Sequence, residues 1–130
     1  MILLEIPASR EWLGLARRLV QDIAEPRIGR QQAEELALAV GEALANAVEH
    51  GSPGGSRDRV SMVVGEWTGR VVVVVRDEGV GFDASLVPDP TVDQERGRGV
   101  WLIRRLTAAE WADEGWGMSV RMAKGRGGPR

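Results

Sequence analysis

The chain contains no cysteine. That excludes disulfides, thiolate chemistry and a cysteine-based zinc site. Lysine is almost as scarce: Lys124 is the only one, and the other basic residues are arginines apart from a single histidine. The body of the chain therefore offers no phosphate-loop lysine, and no G-x-x-x-x-G-K-[ST] sequence occurs. Unbroken apolar runs are short, the valines at 71–75 being among the longest, well below the ~20 residues a membrane-spanning helix needs. The opening MILLEIPASREW has no basic n-region, so it is not read as a signal peptide. A net charge of -2 provides no strong positive field for nonspecific nucleic-acid binding.

What is present has the composition of a soluble globular protein. With 43% hydrophobic and 28% charged residues, a chain of 130 can bury a core without staples. We expect one domain over residues 1–124, a disordered tail over 125–130, no membrane contact and a cytoplasmic setting.

Local patterning sets out the elements. A first strand over 2–6 stops at Pro7. Ser9 is a candidate N-cap for a helix whose apolar positions Trp12, Leu15, Ala16, Leu19 and Ile23 follow helical spacing, and Pro26 is expected to end it. A second helix runs to about His50. Strands over 60–67 and 70–76 flank a tight turn at Thr68-Gly69. The valine run is expected to be central and buried on both faces. A long polar stretch leads to a helix over about 99–107 and a last pair of strands over 109–114 and 117–123. The order predicts an α+β, two-layer sandwich: a mixed, mostly antiparallel sheet with three helices packed on one face.

Three stretches carry candidate chemistry. In ELALAVGEALANAVEHG, residues 35–51, Leu36, Ala37, Val40, Leu44, Ala47 and Val48 make one apolar helix face. Glu42 and Asn46 stand four apart on another face, and His50 continues their row. A carboxylate stacked on a carboxamide suits positioning a water and holding a hard metal ion through oxygen, while the same row also serves as a solvated face. Gly41 costs this helix about 1 kcal/mol relative to Ala, so either a packed element or a ligand comes close there.

Asp77-Glu78-Gly79-Val80-Gly81 follows the valine strand. The Asp77 carboxylate accepts hydrogen bonds only, which suits an exocyclic amine such as that of adenine. Gly79 and Gly81 would let a flat ring or a phosphate approach the backbone; an ordinary Asp-Gly turn has the same sequence. Gly97-Arg98-Gly99 precedes an apolar helix, where unpaired amides attract anions. A full G-x-G-x-x-G is absent because Leu102 occupies its third position. Between the glycine pairs, residues 82–96 read as a lid over a ligand or as a surface excursion.

Taken together, E-x-x-x-N on a helix, D-x-G-x-G after a strand and G-x-G opening a helix resemble the Bergerat ATP-binding fold of DNA gyrase, histidine kinases and MutL. The form E-A-x-x-N-A-x-x-H-G, D-x-G-x-G-F-D and G-R-G-x-x-L-I is closest to the stand-alone RsbW-like anti-sigma factor kinases, and the resemblance spans residues 2–123. It implies that Glu42 is the catalytic carboxylate that deprotonates the attacking hydroxyl. It implies that Asn46 binds Mg²⁺ bridging the ATP phosphates, and that Asp77 binds adenine in a pocket shaped by Gly79 and Gly81. Gly97 and Gly99 match glycines near the phosphates. The function implied is that of an ATP-dependent serine/threonine protein kinase and anti-sigma factor. Its partners would be an anti-sigma factor antagonist, which it phosphorylates, and an RNA polymerase sigma factor; a homodimer is also implied. The alternative is an ATP-binding module that sequesters a partner without phosphoryl transfer.

Overall fold

The computed structural model describes residues 1–50, 52, 54–77, 95–113 and 117–127. In chain order these form β1 (Ile2–Pro7), a 3-10 turn (Arg10–Trp12), α1 (Leu13–Ile28), α2 (Arg30–His50), a second 3-10 turn (Gly55–Arg57), β2 (Arg59–Trp67), β3 (Arg70–Arg76), α3 (Glu95–Leu106), β4 (Ala108–Asp113) and β5 (Met118–Gly125). The strands make one sheet in the order β1-β2-β3-β5-β4, and its four pairings are all antiparallel. The parallel component allowed for in the sequence reading is therefore not among them. The valine strand β3 is central, as expected.

The helices cover one face of the sheet. Val20 of α1, Leu36, Val40 and Leu44 of α2 and Ile103 of α3 are buried together with Met62, Val64, Val71, Val73, Val75 and Met122 of the strands. Burying each such side chain contributes about 1.5–3 kcal/mol. The second face of the valine run differs from expectation: Val72 and Val74 are only half-buried. All three helices lie on the other side, so nothing described covers them. Thr68 (φ 50°) and Gly69 (φ 79°) both take positive φ in the β2–β3 turn, as a two-residue hairpin requires.

Pro26 does not end α1, which continues to Ile28. A proline in the last turn removes only one ladder bond, and the Arg27 guanidinium donates to the Ile23 carbonyl nearby (2.5 Å). The break falls at Gly29, whose φ of 90° leaves the helical region. α3 begins at Glu95, about four residues earlier than expected.

Register gives the sandwich two distinct ends. Pro7 pairs with Arg59, Ser61 with Arg76, and Arg76 with Ser119. The end of β3 thus lies beside the start of β2, which follows α2 through a short connection tied back by the Ser52 hydroxyl donating to the Ala47 carbonyl (2.8 Å). At the opposite end lie the Thr68-Gly69 turn, the start of β4 and the end of β5, where Arg70 pairs with Gly125 and Ala108 with Ala123.

Candidate functional site

Glu42 and Asn46 sit one turn apart on α2, and both are half-buried. Facing them is Gly99, the fifth residue of α3 and itself buried. A β-carbon on Gly99 would lie 3.2 Å from Glu42 Oε2, 3.6 Å from Asn46 Nδ2 and 3.8 Å from Asn46 Oδ1. A side chain there would be in ordinary contact with Asn46 but would press on the Glu42 carboxylate, which would have to give way slightly. The first four amides of a helix have no partner within it, and Gly97 is the third residue of α3. Both Gly97 and Gly99 lie inside the helix, whose expected start is about Gly99. Gly99 packs closely on α2, which offsets its helical penalty.

Asp77 directly follows β3 at this same end of the sandwich. Its amide donates to the Met118 carbonyl (2.9 Å), and its Oδ1 accepts from the Met118 amide (3.3 Å). The exchange holds the carboxylate at the start of β5, on the central axis of the sheet. Gly79, Gly81 and residues 82–94 of the expected lid lie outside the described residues, as does the side chain of His50. Three of the expected groups, Glu42, Asn46 and Gly99, are brought into mutual proximity. Gly97 lies within the first turn of α3, and Asp77 shares their end of the molecule.

Glu42 also opens onto a second space. Leu13, Gly14 and Arg17 of α1 and Leu38, Gly41, Glu42 and Ala45 of α2 line a cleft of about 230 Å³. The Arg17 side chain crosses Gly41, where a β-carbon would stand 3.3 Å from Arg17 Cδ. Packing, rather than a ligand, accounts for that glycine.

A further polar group has no place in the three sequence stretches. Lys124, the only lysine, is fully buried. Its Nζ donates to the Leu106 carbonyl at the end of α3 (2.5 Å) and to Glu35 Oε1 on α2 (3.0 Å). The Lys124 hydrogen bond holds the Glu35 carboxyl below its ordinary range; burial opposes this and Gln31 assists. The signal was available: Val120, Met122 and Lys124 alternate onto the inward face of one strand. The expected strand over 117–123 stops two residues short of the end of β5 and leaves Lys124 outside it.

Residues 6–124 match the family model described as the histidine kinase-like ATPase domain. The chain belongs to this family. Among curated relatives, the serine-protein kinase RsbW of Bacillus velezensis is 33% identical, over 98% of this chain and 86% of that protein. RsbW of Bacillus subtilis (strain 168) gives the same identity and coverage. Among solved structures, the histidine kinase domain of the Erythrobacter litoralis EL346 blue-light activated histidine kinase superposes with a TM-score of 0.58 at 21% identity. That superposition covers 94% of this chain and 62% of the other, and it establishes the fold alone. No helix among the described residues is long and apolar enough to cross a membrane.

Proposed function

We propose that the chain is an ATP-dependent serine/threonine protein kinase that acts as an anti-sigma factor and phosphorylates an anti-sigma factor antagonist in a partner-switching pathway. The observation that carries this reading is the approach of Gly99 to both Glu42 and Asn46. It puts a carboxylate and a carboxamide against the first turns of a helix, where phosphate oxygens find unpaired amides. The likeness to serine-protein kinases over nearly the whole chain supports the choice of hydroxyl acceptor.

In this reading Glu42 takes the proton from the acceptor hydroxyl. The freed oxygen forms a bond to the γ-phosphorus as the bond to the β–γ bridging oxygen breaks, and ADP leaves. Catalysis is then mainly positioning and charge neutralisation. The amides that open α3, with Gly97 and Gly99, approach the phosphates. Asp77 accepts from the adenine amine, and Gly79 and Gly81 flank the base. The cleft between α1 and α2 gives the acceptor segment a route to Glu42.

The donor set fits Mg²⁺. Among the described residues no three His, Cys, Asp or Glu side chains converge. Mg²⁺ in phosphate sites takes few protein ligands and draws the rest from phosphate and water. Asn46 would supply a neutral oxygen, and the ion would neutralise phosphate charge. The partners of this role are the antagonist, a sigma factor and a second copy of the chain, and its setting is the cytoplasm. For the second copy, the uncovered sheet face offers Leu3, Val63 and Val74, aligned across three strands.

The test is incubation with Mg-ATP and a candidate antagonist protein, followed by phosphoamino-acid analysis. Phosphoserine or phosphothreonine is expected. Glu42→Gln should lower transfer at least about 100-fold with ATP binding intact, and Asn46→Ala should weaken Mg-ATP binding far more than it weakens folding. ATP binding by the parent without any transfer would instead identify a sequestering module.

A further inference from the structure

The two ends of α3 are fastened to the same face of α2. Gly99 lies against Glu42 and Asn46. Seven residues later, the Leu106 carbonyl is joined through Lys124 Nζ to Glu35, seven residues before Glu42. The helices therefore run antiparallel with matched spacing, and one amine closes the far end of the ladder.

We propose that Lys124 is a positioning residue: by bridging the Leu106 carbonyl and the Glu35 carboxylate it fixes the register of α3 along α2, and so sets how closely the first turns of α3 approach Glu42 and Asn46. The chemistry suits the task. An ammonium at a helix C-terminus meets the negative end of the helix dipole. A lysine with no exposed surface must keep both acceptors, because an unpaired buried charge is strongly unfavourable. Thr107 fastens the same turn from within, its amide (3.0 Å) and hydroxyl (2.8 Å) both donating to the Ile103 carbonyl. The end of α3 cannot slide along α2 without breaking a bond of Lys124. A rigid helix carries that constraint to its other end, where a displacement of about 1 Å matters most.

The proposal rests on the nucleotide-binding reading for one of its two measurements only. Lys124→Met removes the bridge. Glu35→Leu/Lys124→Met removes both charges together and replaces them with apolar groups; it serves if the single variant does not fold. Both are studied at a temperature where the chain is folded. Calorimetry with Mg-ATP is expected to show affinity at least about tenfold weaker than the parent. Amide hydrogen exchange without nucleotide is expected to accelerate over Gly99–Ile103 by a larger factor than in β2 and β3, where core amides report the global loss of stability. Exchange in α3 raised no more than in β2 and β3 overturns the proposal, as does ATP affinity within twofold of a parent that binds ATP. If the parent binds no nucleotide, the kinase reading falls while the exchange experiment still decides the role of Lys124.

Discussion

The two ends of the sandwich handle polar groups in opposite ways. At the end formed by Thr68-Gly69 and the close of β5, Lys124 is fully buried with two acceptors within 3.0 Å, and the buried Thr107 hydroxyl is bonded as well. At the end formed by Asp77 and the first turns of α3, Glu42, Asn46 and Asp77 are half-buried, and a glycine replaces side-chain packing. A polar group committed inside the protein stabilises the fold; one left partly open can still bind something else. The contrast separates a clamp from a site within one pair of helices.

The contrast breaks most visibly at Lys124. Lys124→Met should cost about 2 kcal/mol of stability, because it leaves the Leu106 carbonyl and the partly buried Glu35 carboxylate without their shared donor; urea denaturation measures this. Glu35→Leu/Lys124→Met should regain most of that loss, and a double variant no more stable than the single one would show that the pair is not coupled.

Glu35→Gln keeps an acceptor for Nζ and should cost about 1.5 kcal/mol at pH 7. It also has a pH signature. The folded carboxyl is held below its ordinary value of 4.5, so its contribution is complete above that pH. It is lost as pH falls through the lowered folded value. In the variant, this acid-side decline in midpoint should be absent.

At the other end, Gly99→Ala should leave stability unchanged or slightly raised, since alanine favours the helix. The added carbon forces Glu42 outward, and ATP affinity should fall about tenfold, equivalent to ~1.4 kcal/mol. Gly69→Ala is the mirror experiment. Its positive φ makes any side chain strained, so about 1 kcal/mol of stability is lost, while nucleotide affinity in the folded variant stays that of the parent. Equal effects of the two glycine substitutions on ATP binding would erase the distinction between the ends.

Much of this was legible in the residues, for identifiable reasons. The central place of β3 followed from a run of β-branched side chains, and the hairpin from a Thr-Gly pair between two strands. Glu42 and Asn46 were paired by their spacing of four. At three features tertiary contacts override local preference. Pro26 has the local character of a stop, yet one lost ladder bond in a last turn is tolerable. Gly97 and Gly99 suit the entry to α3, yet the helix begins at Glu95, and Gly99 packs on α2 within it. The valine run suits a strand covered on both faces, yet the helices all lie on one side.

Sequence by itself determined the alternation of elements, the apolar faces and the residue types available for chemistry, because these depend on periodicity and turn stereochemistry within a few neighbours. Tertiary structure alone decided which faces meet: that Gly99 closes on Glu42 and Asn46, and that the one lysine is buried against Leu106 and Glu35. Such contacts join residues separated by 18 to 89 positions, and no local pattern specifies a distance across the fold.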